Sequence, residues 1–127
     1  MRFLMKPWIK DCLPYVFIGS LTILFWHPVL FHGSFFYDDW DFIRTFQAGS
    51  ANWEYFLRPH NEHFMPVFKA IFFFMFSLFG LNVTPYMGLL IAVHILNASL
   101  FYRLSLLIFP NKKWLPLILA VIFLSSS

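Results

Sequence analysis

The sequence predicts an all-α membrane protein with several transmembrane helices, and three observations indicate this fold class. Of the 127 residues, 60% are hydrophobic and only 12% are charged, whereas soluble domains average roughly 25% charged residues. Long uncharged runs alternate with short polar segments. The 19 Phe residues offer more apolar surface than a small soluble domain can hide, because such a domain buries only about two thirds of its surface.

Four apolar runs set the predicted order of the helices. The run 13–31 contains no charged residue, and as a helix it covers about 28 Å, close to the hydrocarbon thickness of a bilayer. Runs 64–79 and 86–109 are predicted to form the second and third spans, whereas the run 114–124 is too short to cross. We expect residues 1–127 to form a single membrane domain, the N-terminal part of a longer protein.

A polar loop, residues 32–63, separates the first two predicted spans and carries five of the six acidic residues. Trp40, Ile43 and Phe46 recur at helical spacing, and a second such pattern lies at 53–57. The loop is too polar for the hydrocarbon core and too aromatic for a free linker. We therefore expect two short interfacial helices, with Trp and Tyr at the depth of the lipid headgroups.

The distribution of charge predicts the orientation. Residues 1–12 carry a net charge of +2 and residues 32–62 a net charge of −3, and basic residues favour the cytoplasmic side of a membrane. We expect a cytoplasmic N-terminus and an extracytoplasmic polar loop. Three full spans would place Lys112 and Lys113 on the outer side, where we expect them to hold lipid phosphate; alternatively, the short run 64–79 is re-entrant.

Two motifs of the polar loop carry its chemistry. An aromatic pair is followed by Asp38 and Asp39, and Arg58-Pro59-His60-Asn61-Glu62-His63 leads into the next apolar run. With one span before them, these motifs resemble the integral-membrane glycosyltransferases of the GT-C superfamily, in particular protein mannosyltransferases and aminoarabinose transferases and their bacterial relatives. The turn 78–82 and the stretch 94–98 are similar to that family's second and third helices.

The resemblance implies transfer of a sugar from a polyprenyl-phosphate carrier to an acceptor on the extracytoplasmic face of a bacterial inner or plasma membrane. It implies that Asp38 or Asp39 is the general base on the acceptor hydroxyl. A departing lipid phosphate needs positive charge or hydrogen-bond donors, and Arg58, His60 and His63 supply them. We expect membrane lipid and the carrier lipid as partners, with further helices packed alongside, and no nucleic acid.

A metal ion is a further expectation for the loop. His60 and His63 do not have the His-Glu-x-x-His spacing of zinc sites, and the single cysteine, Cys12, excludes a thiolate cluster. Carboxylate oxygens suit Mg²⁺ or Mn²⁺, so Asp38 and Asp39 are the predicted ligands if a metal binds. A sugar donor that carries a single phosphate depends less on a metal ion.

Several residues allow a structural interpretation as well. Asp38 with Asp41, three residues on, fits the start of a helix, and Arg58 fits an anchor to headgroups. Lys69 lies near the loop end of its apolar run, so its ammonium is expected to reach the interface or the loop acids. His94 either joins two helices by a hydrogen bond or has a functional role.

Two other functions remain open at this point. One is a fragment of a membrane transporter in which His94 and Lys69 face an ion path. The other is a non-catalytic membrane protein that contacts partner helices through a ridge of small residues that includes Gly88. The sequence does not indicate which sugar or which acceptor an enzyme of this kind would use.

Overall fold

The computed structural model describes residues 7–112 and 114–125, without the side chains of residues 7–10. All regular elements in these ranges are helices, so the predicted all-α class is confirmed. The helices are α1 Pro7–His32, α2 Tyr37–Gln47, α3 Trp53–Leu57, α4 Pro66–Phe79, α5 Val83–Ile108 and α6 Leu115–Ser125. Arg2, Lys6 and Lys113, which entered the prediction of orientation, lie outside the described residues.

Two of these helices are long. α1 and α5 contain 26 residues each, about 39 Å at the α-helical rise, and Asp11–His32 and Val83–Ile108 are long and apolar enough to cross a bilayer. Few side chains in either segment are buried, unlike those of a helix in a soluble core. The 14 residues of α4 and the 11 of α6 fall short of the roughly 20 that a span needs.

The chain forms two compact units. Unit 1 comprises Met1–Phe31 and Gly88–Ser127, and unit 2 comprises His32–Met87. Unit 1 therefore contains most of the two long helices together with α6. Unit 2 contains the predicted polar loop and α4.

Within unit 1, α1 and α5 run antiparallel. Near the start of α1, the ring of Tyr15 meets that of Tyr102 with centroids 5.6 Å apart. Near its end, the ring of Trp26 meets that of His94 at 5.6 Å. Residues further along α1 thus contact residues earlier in α5, so the two helices point in opposite directions. The chain therefore leaves unit 1 after α1 and re-enters it at the same end of this helix pair.

The third helix of unit 1, α6, packs antiparallel to α5. The rings of Phe101 and Phe123 stack at 5.2 Å, and Trp26 donates from Nε1 to the Leu124 carbonyl at 3.2 Å. Nε2 of His94 lies 3.3 Å from the same oxygen. The buried core of the unit consists of Ile18, Ala98, Tyr102, Ala120 and Leu124.

This pairing bears on the position of Lys112. Three successive crossings before Lys112 would make α1 and α5 parallel, whereas they are antiparallel. The turn that holds Lys112 follows α5, so it lies at the end of unit 1 where α1 begins. Antiparallel α1 and α5 favour the alternative in which the run 64–79 does not cross, and the side of the membrane that Lys112 faces remains a prediction.

Unit 2 is an aromatic core wrapped by short helices. α2 and α3 both pack on α4, and the core is formed by Phe35, Phe42, Ile43, Phe46, Phe72, Met75 and Tyr86. Ring pairs such as Phe46 and Phe73, with centroids 5.0 Å apart, meet edge to face, a geometry that adds about 0.5–1.5 kcal/mol to their burial. The two predicted short helices therefore exist as α2 and α3; their position in the membrane interface remains a prediction.

Candidate functional site

The first turn of α2 assigns separate roles to the neighbouring carboxylates. The N–H of Phe36 donates to Oδ2 of Asp39 at 2.9 Å, and the N–H of Asp39 donates to the Phe36 carbonyl at 2.7 Å. Asp39, at the third helical position, thus satisfies a free N–H at the helix start and places negative charge where the helix dipole favours it. The structural role that the sequence indicated for Asp38 and Asp41 belongs to Asp39.

Asp38 instead belongs to a polar cluster with His60 and Asn61. Its Oδ2 lies 3.8 Å from Nε2 of His60 and accepts from Nδ2 of Asn61 at 3.4 Å. Asp41, one turn further along α2, joins the cluster: one ligand atom each from Asp38, Asp41 and His60 lie within 4.8 Å of one another. The side chain of Asp38 is 61% exposed, whereas that of His60 is 19% exposed.

A tight turn positions His60. The N–H of His60 donates to the His63 carbonyl at 2.9 Å, and the N–H of His63 donates to the His60 carbonyl at 2.8 Å. The two residues between them, Asn61 and Glu62, have positive φ values of 44° and 68°. The turn packs the His60 ring against Phe42, with centroids 4.7 Å apart, and leaves the side chain of His63 exposed.

Lys69 is a buried lysine on the face of α4 that points into unit 2. Its side chain is 1% exposed, and Nζ donates to the carbonyl of Tyr55 at 3.0 Å and to that of Arg58 at 2.6 Å. Nζ also lies 4.6 Å from the centre of the Tyr55 ring. Among the described residues no carboxylate lies within ion-pair distance of Lys69, so the expected contact with the loop acids does not form.

Arg58 follows α3 at the same place. Its guanidinium lies 3.6 Å from the carboxylate of Glu54, and both side chains are more than 70% exposed. Exposed pairs of this kind contribute little to stability, because water screens the attraction. The backbone of Arg58 therefore holds Lys69, while its guanidinium remains available to a ligand.

These cationic groups line a basic pocket of about 350 Å³. The pocket is lined by Thr45, Ser50, Asn52, Glu54, Tyr55, Arg58, Pro59, His60 and Lys69. It combines three basic side chains with several hydroxyl and amide groups and a single acid. Such a lining suits an anion that accepts several hydrogen bonds, as a phosphate group does.

One hydroxyl in this pocket has no hydrogen-bond partner among the described residues. The Oη atom of Tyr55 is buried there, close to the Thr45 hydroxyl, which donates to the Asp41 carbonyl at 2.9 Å. Burial raises the pKa of Tyr55; the Thr45 hydroxyl acts in the opposite direction and the charge of Asp41 in the same one. Tyr55 therefore keeps its proton at neutral pH.

A second, acidic pocket of about 380 Å³ adjoins the first. It is lined by Asp38, Asp39, Phe42, His60, Met65 and Phe68. Carboxylates thus stand beside a wall of aromatic and thioether groups. Since His60 lines both pockets, a molecule that bridges them would meet a carboxylate at one end and the basic groups at the other.

The donor set for a metal ion differs from the predicted one. Asp39 uses one oxygen at the start of α2, whereas Asp38 converges with Asp41 and His60. Two carboxylates and an imidazole are ligands that divalent cations such as Mn²⁺ accept. The residues present therefore fit a divalent cation held by Asp38, Asp41 and His60.

The structure brings together most of the predicted site residues and adds others. Asp38, Asp39 and His60 line one pocket, and Arg58 joins His60 in the other, whereas the described contacts of His63 are those of its backbone. Lys69 and Tyr55 were missed as site residues. A single lysine in an apolar run was the available signal for Lys69, and nothing in the sequence pattern distinguished Tyr55.

The candidate site is therefore a pair of pockets, one acidic and one basic, that share His60. Comparison of the chain with protein-family profiles, with curated proteins and with solved structures found no match. Its function must be inferred from the two pockets and from the motifs that form them.

Proposed function

We propose that the chain is part of an integral-membrane glycosyltransferase that moves a sugar from a polyprenyl-phosphate donor to an acceptor hydroxyl. The observation that carries this proposal is the meeting of an acidic and a basic pocket at His60. Transfer to a hydroxyl needs a base for the acceptor proton and positive charge for the departing phosphate. The resemblance of the Asp38-Asp39 and Arg58–His63 motifs to GT-C enzymes supports the same reaction.

In this proposal the basic pocket holds the donor phosphate. Arg58 and Lys69 supply positive charge, and His60 and the unpartnered Tyr55 hydroxyl donate hydrogen bonds. His63, one turn from His60 and exposed, contacts the same headgroup from outside the pocket. As the bond from the anomeric carbon to the phosphate oxygen breaks, its electron pair stays on the phosphate, and these groups stabilise the added charge.

The acidic pocket holds the acceptor. Asp38 takes the hydroxyl proton while the acceptor oxygen forms a bond to the anomeric carbon. Asp38 is preferred to Asp39 as the base because Asp39 already accepts the Phe36 N–H. Asp39 is then a positioning residue that fixes the first turn of α2. A divalent cation held by Asp38, Asp41 and His60 would supply positive charge at the same place.

The proposed membrane topology follows from unit 1. If α1 and α5 both cross the bilayer, their antiparallel pairing makes residues 32–87 begin and end on one face. We place that face outside the cytoplasm, with the N-terminus and Lys112 on the cytoplasmic side, in agreement with the positive-inside rule. In this arrangement α2, α3 and α4 lie at the membrane interface, where the head of a carrier lipid is located.

Turnover of a lipid-linked sugar tests the proposal. The full-length protein is reconstituted in vesicles with a panel of labelled polyprenyl-phosphate sugars, and release of polyprenyl phosphate is measured. We expect Asp38→Asn to lower kcat by at least about 100-fold, the usual effect of removing a general base, and Lys69→Met to raise the donor KM.

Gln47→Ala is the control, because Gln47 is an exposed residue at the end of α2 outside both pockets and the variant should keep wild-type turnover. The proposal fails if no lipid-linked sugar is consumed. It also fails if Asp38→Asn and Asp39→Asn both turn over the donor as the wild type does.

The alternative functions have less support. In a transporter, His94 and Lys69 would face an ion path, but the ring of His94 stacks on Phe123 at 5.6 Å and Lys69 is held by two carbonyl oxygens. A non-catalytic role for the small residues near Gly88 stays a prediction. The space beside Gly88 is open, since a Cβ at this position would have no described neighbour within 4 Å outside its own stretch of helix.

A further inference from the structure

A large groove in unit 1 lies outside the candidate site. It has a volume of about 1020 Å³ and is lined by the first turns of α1, the last turns of α5 and the start of α6. Apart from Ser20 and the hydroxyl of Tyr102, its walls are hydrocarbon or aromatic, for example Val16, Phe17 and Leu117. Its size is at the upper end of the range of ligand pockets, about 300–1,000 Å³.

Two exposed basic residues, here called the basic rim, lie next to this groove: one follows a lining residue in the chain and the other lines an adjoining cavity. Arg103 follows Tyr102, a lining residue, and its Nη1 donates to the Tyr15 hydroxyl at 3.4 Å. Among the described residues no carboxylate lies within ion-pair distance of Arg103. Lys112 lines an adjoining cavity of about 380 Å³, and Trp114 lines both that cavity and the groove.

The charge of the neighbouring sequence has the same sign. Asp11 is exposed and is the acidic residue at this end of unit 1. The segments 1–12 and 103–113 together contain six basic residues and this one acid. An occupant of the groove therefore meets a hydrocarbon wall next to the described basic side chains Arg103 and Lys112.

We propose that this groove binds an anionic glycerophospholipid, with its acyl chains along the apolar wall and its phosphate held by Arg103 and Lys112. A partner helix would cover the wall without needing the basic rim, and a zwitterionic lipid would gain little net attraction from it. The groove lies at the end of unit 1 where α1 begins, and in the proposed topology this end faces the cytoplasmic leaflet, whose surface is negatively charged. The lipid-binding proposal requires that unit 1 is inserted in a membrane, but it does not require glycosyl transfer.

Quenching of Trp114 by brominated lipid tests this site. The full-length protein is reconstituted in phosphatidylcholine vesicles to which chain-brominated phosphatidylglycerol or chain-brominated phosphatidylcholine is added. The signal of Trp114 is obtained as the difference between the wild type and Trp114→Phe. We expect phosphatidylglycerol to quench Trp114 at a roughly 25-fold lower mole fraction than phosphatidylcholine, about fivefold for each of the two basic residues.

Charge variants identify the rim residues. Arg103→Gln and Lys112→Gln should each reduce the preference about fivefold, since a basic residue near a membrane surface contributes about 1 kcal/mol, whereas Arg44→Gln in unit 2 should not. Both replaced residues are exposed, so the variants should fold. Equal quenching by the two lipids, a preference that survives the double variant, or no quenching because protein covers the groove would each overturn the proposal.

Discussion

At the scale of single residues, Lys69 and Tyr55 have the least ordinary surroundings in unit 2. A buried ammonium is costly unless it is solvated by protein, and two carbonyl oxygens and an aromatic ring face solvate Lys69. In the part of the chain that the structure describes, the Tyr55 hydroxyl has no such partner. An unpaired buried hydroxyl costs about 1–3 kcal/mol, so a ligand that accepts its hydrogen bond would remove this penalty.

Replacing Tyr55 by Phe separates stability from binding. We expect Tyr55→Phe to raise the free energy of unfolding by about 1 kcal/mol, because it removes the unpaired hydroxyl. The same variant should weaken donor binding about tenfold, because it removes a hydrogen bond to the phosphate. Thermal unfolding in detergent and donor titration measure the two effects, and unchanged donor binding would exclude Tyr55 from the phosphate site.

The sequence predicted part of this site. Asp38, Asp39, Arg58 and His60 were identified because charged residues are conspicuous in an apolar chain. The sequence could not separate the roles of Asp38 and Asp39. Their roles depend on which of the two carboxylates accepts the Phe36 N–H, and this is visible only in the structure. The carbonyl partners of Lys69 are 11 and 14 residues away in the chain, beyond what helical spacing predicts.

At the scale of elements, the first turn of α2 and the tight turn before α4 position the polar groups. α2 starts at Tyr37 because Asp39 satisfies a free N–H and Phe42, Ile43 and Phe46 are buried on one face. The helix α2 was predictable from the helical spacing of its apolar residues. The tight turn was not, because Asn61-Glu62 lacks the glycine that usually marks a turn with two positive φ values.

Alanine at position 39 should mainly lower stability, whereas alanine at position 38 should mainly lower transfer activity. Asp39→Ala should lower the free energy of unfolding by about 1 kcal/mol, since it removes the hydrogen bond at the helix start, while Asp39→Asn keeps an acceptor and should cost less. Asp38→Ala should leave stability within about 0.5 kcal/mol, as expected for an exposed residue, and should abolish transfer. Chemical unfolding and the turnover assay measure the pair, and equal stability losses would contradict the assignment of Asp39.

Glu62 tests the tight turn. Its φ of 68° lies in the left-handed region, which costs a non-glycine residue about 1–2 kcal/mol. We expect Glu62→Gly to raise the free energy of unfolding by about 1 kcal/mol despite the greater freedom of glycine in the unfolded chain. Glu62→Ala is the control and should show no gain, because alanine has the same left-handed penalty. A destabilised Glu62→Gly protein would mean that the Glu62 side chain itself stabilises the turn.

At the scale of the whole molecule, the direction of helix pairing decides which polar groups share a side of the membrane. Apolar run length predicted α1, α4, α5 and α6, and helical spacing predicted α2 and α3. The antiparallel packing of α1 on α5 depends on contacts such as Tyr15 with Tyr102, which are 87 positions apart in the numbering. The number of crossings, and with it the role of the short run 64–79, remains a prediction. In the proposed topology, with α1 and α5 as the spans, the acidic loop and the Lys112 turn fall on opposite sides.

The sidedness of residues 32–87 is the central claim, because a carrier lipid can reach the two pockets only from the face on which they open. Accessibility of single cysteines to a membrane-impermeant maleimide tests it most directly. In a Cys12→Ser background, Gln47→Cys marks the end of α2 and Asn111→Cys marks the turn beside Lys112. We predict labelling of the Gln47→Cys protein in intact cells and of the Asn111→Cys protein only after permeabilisation; labelling of both from the same side would contradict the account.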